Sequence, residues 1–156
     1  MIIDAHVHPV LFGPICKDPE RVQFRKQQFG LYKSSPIPME QVMAVMDHAG
    51  VDLAILFAED YSAVMGQSIV SNEEIRLLMD AQPGRFAGFA SVDPRNEDAP
   101  EELARAFTEL KLDGLKLNLS HLQMYPDDAR LQPLYELCLA HNKPITFHCG
   151  FSWEPD

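Results

Sequence analysis

The sequence predicts an α/β fold, a parallel (β/α)8 barrel of the TIM type, of which these 156 residues supply about the first five strands. Three observations predict it. Short apolar runs alternate with amphipathic stretches at intervals of about 30 residues, the pattern of βαβ units with right-handed crossovers. The apolar runs end in polar residues (His8, Glu59-Asp60, Asp93, Asn118, His148), and in a barrel that rim carries the active site. No Gly-x-Gly-x-x-Gly follows the first run, which removes the main support for an open, dinucleotide-binding sheet. Residues 1–156 read as a single partial barrel domain with a long loop at about 9–38.

The first strand is Ile2–His8. Side chains alternate along a strand, so Asp4, His6 and His8 are expected on one face and Ile3, Ala5 and Val7 on the other. The stretch from Pro9 to Pro38 is rich in Pro and Gly, with room for a short helix around Arg21–Gln28; it suits either the wall of a pocket or a surface insertion. A helix over 39–49 carries the stripe Val42, Val45, Met46 and Ala49, and Gly50 stops it. Val51–Ala58 is a strand covered on both faces. Asn72–Ala81 is a helix capped by Ser71 or Asn72, with Ile75, Leu78 and Met79 inward. Phe86–Val92 is the third strand. A helix starting near Pro100 presents Leu103, Ala106, Phe107 and Leu110. Leu115–Leu119 is the fourth strand. A helix with Leu131, Leu134, Tyr135 and Cys138 on one side becomes regular near Pro133, and Ile145–Gly150 is the fifth strand.

The net charge of −10, without a basic run, argues against a nucleic-acid or anionic-membrane partner. No apolar run is long enough to span a bilayer, and Met-Ile-Ile-Asp has no basic flank of a signal peptide. Three cysteines without C-x-x-C spacing point to free thiols and the cytoplasm. Cys149 alternates onto the helix side of its strand and is expected to be a small buried residue.

His6 and His8, on one face at the end of a buried strand, can converge on one metal ion, and Asp4 could orient one imidazole from behind. His148 ends the fifth strand at the same rim. Three imidazoles suit a divalent metal, zinc being expected, with a position left open for water. Lys116 and Asn118 alternate with leucines that should face the helices, which sends Lys116 inward. A buried lysine needs an anion or a modification, so both residues are expected to bind substrate unless an internal acid such as Asp4 pairs with the lysine. His121, on a strand-end loop, could reach a substrate; His48 and His141 lie near helix ends.

Asp4-Ala5-His6-Val7-His8, Met46-Asp47-His48-Ala49-Gly50-Val51-Asp52, Gly114-Leu115-Lys116-Leu117-Asn118, Pro133–Cys138 and Pro144–Gly150 together resemble the amidohydrolase-related family. This is the branch of the metal-dependent hydrolases that includes aminocarboxymuconate-semialdehyde decarboxylase. The resemblance implies a distorted barrel with one divalent metal held by His6, His8 and His148. It also implies a proton-handling histidine from a sixth strand and an aspartate from an eighth, both beyond this chain, which leaves the catalytic residues unassigned. The expected reaction is hydrolysis, with metal-bound water attacking a C–N or C–O bond of a small carboxylated substrate. One alternative is non-oxidative decarboxylation at the same site. Another is a catalytically incomplete half-barrel that binds metal and associates. Uncovered first and fifth strands imply a homo-oligomer or a completing chain segment.

Overall fold

The aliphatic runs form five short strands: β1 (Ile3–Val7), β2 (Leu53–Phe57), β3 (Phe86–Ala90), β4 (Gly114–Leu117) and β5 (Ile145–Phe147). The computed structural model describes residues 1–149. Among them the strands pair in sequence order, β1-β2-β3-β4-β5, and every pair is parallel. The sheet curls into a half-barrel. Parallel neighbours require a crossover between each pair, and helices supply it.

Those helices are α1 (Pro19–Gln28), α2 (Met39–His48), α3 (Ser62–Met65), α4 (Asn72–Ala81), α5 (Ala99–Thr108), α6 (Leu119–Leu122) and α7 (Gln132–Ala140). Their starts follow local chemistry. Ser71 and Glu74 form a reciprocal capping box on α4. Pro100 and Pro133 sit in the first turns of α5 and α7, where a missing N–H costs nothing, so Pro133 is a helix start and not a kink. Gly50, at φ +68°, ends α2 in the left-handed region as the sequence suggests.

The core lies between the outer face of the sheet and the helices. Leu56, Ile75, Leu78, Leu103, Leu115, Leu117, Leu131 and Leu134 are all fully buried there. Gly88 on β3 and Gly114 on β4 mark close approaches. A Cβ on Gly88 would lie 2.6 Å from Met79 Sδ, and one on Gly114 would lie 2.7 Å from the Phe89 ring. Val45 and Ala49 depart from the expected stripe: α2 buries Met39, Val42 and Met46, while Val45 is 63% exposed at the border of the helix face and Ala49 is exposed at its cap.

Two strand ends also differ from expectation. β4 stops at Leu117, and Asn118 caps α6 by accepting the His121 N–H, so Leu119 belongs to a helix. β5 stops at Phe147; Gly150 lies outside the described residues. Cys149 therefore escapes the strand alternation and is exposed, not a buried apolar residue.

β1 carries the main correction. Its partners on β2 are Ile3 with Leu53, Asp4 with Ala54, then Val7 with Leu56. Three steps on β1 match two on β2, a bulge of one residue. Asp4 is thereby placed with Ala54 on the helix side, where it lines a cavity with Val42 and Met46 of α2. His6 falls on the inner side, its ring 4.8 Å from that of Phe57. Asp4 does not share a face with the histidines and orients neither imidazole; its carboxylate accepts the backbone N–H of His6 at 3.2 Å, stabilising the bulge.

Candidate metal and substrate site

The inner face at the C-terminal rim holds a cavity of about 270 Å³. His8 comes from just after β1, Lys116 from β4 with Asn118 just beyond it, and His148 from just after β5; Glu59 and Tyr61 come from the turn after β2 and His121 from α6. The segment after β1 closes the cavity. It leaves the sheet, is pinned by the pairing of Phe12 with Ile37, and brings Gln28 and Phe29 from the end of α1 onto the wall. A fully buried arginine holds α1 in place. Arg25 donates to Ile69 O at 2.8 Å, Ile15 O at 2.7 Å and Glu74 Oε1 at 2.5 Å, tying α1 to the start of α4.

His6 and His8 converge. Their Nε2 atoms are 2.9 Å apart and their ring centroids 4.8 Å. Two nitrogens each ~2.1 Å from one ion, at angles of 90–110°, are about 3.0–3.4 Å apart, so the pair stands just short of that spacing and has the donor type of a divalent-ion site. Among the described residues no three His, Cys, Asp or Glu side chains close on one point. His148 lines the same cavity as His8 and acts on both imidazoles through space. Burial, then the neighbouring His6, Lys116 and His148, pushes His8 down to about 4; burial and Lys116 also lower His6. Neutral imidazoles are the form a metal requires.

Lys116 is 2% exposed. Its Nζ makes no hydrogen bond among the described residues and lies 4.9 Å from the Phe57 ring centroid. Burial pushes its ammonium down, opposed by the Glu59 carboxylate. Asp4, on the far face of the sheet, is not its partner. The ring of His121 lies 4.0 Å from that of Tyr61, forming one wall. His48 ends α2, and His141 follows α7 against Phe107; neither lines the cavity.

Not every acid of the rim serves the cavity. Asp93 is fully buried and saturated: Arg95 donates twice at 2.7 Å and the Ala63 N–H at 3.1 Å. Burial alone would raise its carboxyl, but these bonds hold it below the ordinary carboxylate value. Asp60 accepts the N–H groups of Ser62 and Asp93. Both acids shape the turns. Glu59 is the one that reaches the histidines, with Oε1 3.4 Å from His8 Nδ1. Sequence reasoning marked it only as a polar strand end. It gave no signal for Gln28, Phe29 and Tyr61, which belong to no motif.

A family model described as amidohydrolase matches residues 3–156. No curated protein matches the chain. Among solved structures, a TIM-barrel protein of Bordetella bronchiseptica superposes with a TM-score of 0.70 at 24% identity, covering 99% of this chain and 57% of that one. The 5-carboxyvanillate decarboxylase of Sphingomonas paucimobilis gives 0.69 at 21%, covering 94% and 51%. A mutant 5-carboxyvanillate decarboxylase of Novosphingobium aromaticivorans, with bound manganese and 3-methoxy-4-hydroxy-5-nitrobenzoic acid, gives 0.63 at 19%, covering 95% and 50%. The chain thus spans about half the length of the solved structures it matches.

Proposed function

The chain belongs to the amidohydrolase family, and on that premise we propose that it provides the ligand-bearing part of a metal-dependent decarboxylase for a small aromatic carboxylate. The observation that carries the reading is Lys116, a buried ammonium without a hydrogen bond among the described residues, on the same cavity as His8 and His148. A cation so placed offers a substrate carboxylate or phenolate oxygen a partner that water does not supply. Asn118 adds a neutral polar group beside it, and Phe29 and Tyr61 flank space for a planar ring.

His6, His8 and His148 would hold the ion, which when bound supplies a Lewis acid for the substrate's oxygens. Manganese in the Novosphingobium enzyme supports a divalent ion without singling out zinc. Decarboxylation breaks one C–C bond and releases CO2; the electron pair left on the ring carbon takes up a proton. Decarboxylases among similar folds support this reaction over the hydrolysis expected from the sequence. The three free thiols suit a reducing compartment such as the cytoplasm.

The test is CO2 release from hydroxybenzoic acids, set beside amides and lactones, by the chain loaded with Mn²⁺ or Zn²⁺. We expect CO2 from carboxylated phenols, abolished in a His6→Ala/His8→Ala double variant. Turnover of an amide or lactone without CO2 would sink the decarboxylase reading. A chain that binds metal, associates and turns over nothing would favour the catalytically incomplete half-barrel.

A further inference from the structure

We propose that Arg25 is a positioning residue of this cavity: by clamping α1 to the start of α4 it sets where Phe29 stands, and through Phe29 the affinity of the site for an aromatic ring. The proposal rests on the aromatic-acid reading above and assigns a role to a residue outside the cavity lining. α1 has little apolar surface to hold it in place. Val22 and Phe24 are only partly buried, and the one buried residue of the helix is Arg25. A helix without a buried apolar stripe depends on specific polar bonds for its position. The Arg25 guanidinium supplies them, from Nε to Ile69 O, from Nη1 to Ile15 O and from Nη2 to Glu74 Oε1. Arg21, one turn earlier, donates to Glu74 Oε2 at 3.3 Å. A planar fork engaged with three acceptors fixes direction as well as distance.

The clamp and the cavity wall are one helical turn apart. The Phe29 N–H donates to Arg25 O at 3.1 Å, and the Leu31 N–H donates to Lys26 O at 2.8 Å, which closes the end of α1. A turn bonded in this way carries Phe29 as one unit with Arg25. The Phe29 ring centroid lies 5.7 Å from that of His8, and Phe29 lines the cavity that Lys116 enters. Ile69, whose carbonyl Arg25 holds, lines the same cavity. One buried side chain thus places two wall residues drawn from distant segments. A ring bound beside Lys116 meets a wall already in position, and affinity gains from contacts that need no ordering on binding.

The experiment titrates the purified chain, with Zn²⁺ present, against 2-hydroxybenzoate and against acetate, an anion of the same charge without a ring. Wild type is compared with Arg25→Lys, Phe29→Ala, the double variant and Glu74→Gln. The ammonium of Arg25→Lys keeps the charge and loses the three-way fork. In that variant we expect affinity for 2-hydroxybenzoate to fall about three- to tenfold and affinity for acetate to stay within about twofold. Amide exchange should quicken in α1 and not in α5. Phe29→Ala should lose a similar factor with α1 exchange unchanged. The double variant should lose no more than Phe29→Ala alone, because Arg25 acts through that ring. Glu74→Gln keeps the capping box of α4, for which glutamine serves, and weakens the clamp from its other side. The same selective loss there guards against a folding defect in the lysine variant. Unchanged affinity for 2-hydroxybenzoate, equal losses for both anions, or a double variant whose losses add in full would overturn the role of Arg25 and leave the aromatic-acid reading intact. A wild-type chain that does not bind 2-hydroxybenzoate would overturn both.

Discussion

At the scale of single residues, Lys116 sets stability against binding. Its buried ammonium has no hydrogen bond among the described residues, which is costly, and an apolar side chain of similar length removes that cost. Lys116→Met should therefore stabilise the chain by about 1 kcal/mol, seen as a raised melting temperature, while abolishing the affinity for aromatic acids in a binding titration. A lowered melting temperature with affinity retained would show that the lysine is structural. This residue was legible in the sequence because alternation with Leu115 and Leu117 leaves it only the inner face. Glu59 was not, since its place on the cavity comes from facing His8 across two strand ends distant in sequence. Asp4 misled for the opposite reason: it is close to the histidines in sequence, yet a local irregularity separates them in space.

At the scale of elements, the helices were legible where the chain marks them twice, by apolar period and by cap. α4 is the clearest case, with its stripe of Ile75 and Leu78 and its Ser71–Glu74 box. α4 also rests directly on β3, where Gly88 gives it room. Gly88→Ala should cost about 1–3 kcal/mol through overpacking against Met79 and Leu112, measured as a lower urea midpoint with the slope unchanged. An unshifted midpoint would mean that α4 retreats freely. Short α3 and α6 escaped notice because a single turn has no periodicity to detect. The long segment before α2 was readable as Pro- and Gly-rich, with a short helix around Arg21–Gln28 that α1 bears out and a place as a pocket wall that Gln28 and Phe29 take. Its placement depends on Arg25, which bonds Ile15 within the segment and Ile69 and Glu74 outside it.

At the scale of the molecule, strand order and direction followed from the alternation of strand and helix. The described sheet leaves β1 and β5 each with one neighbour. β1 is exposed along most of its length, Ile3 included, as is Ile2 just before it. Such an edge is a template for further pairing. Light scattering on the isolated chain should show mass rising above the monomer with concentration, and Ile3→Lys, which puts a charge on that edge, should shift it back. A concentration-independent monomer would refute association through β1.

The bulge in β1 has a consequence for how this chain can vary. The beginning of the strand and its histidine end follow opposite parities, joined by one unpaired residue. What matters between Asp4 and Val7 is therefore the bulged pairing more than the kind of residue. A conservative replacement of Ala5 would leave both registers in place. Loss of that one codon would match two steps on β1 to two on β2 and keep both imidazoles on the inner face, whereas closing the bulge with every residue present would turn them to the other side. Here the pairing of the backbone, more than side-chain chemistry, decides the face on which the histidines meet.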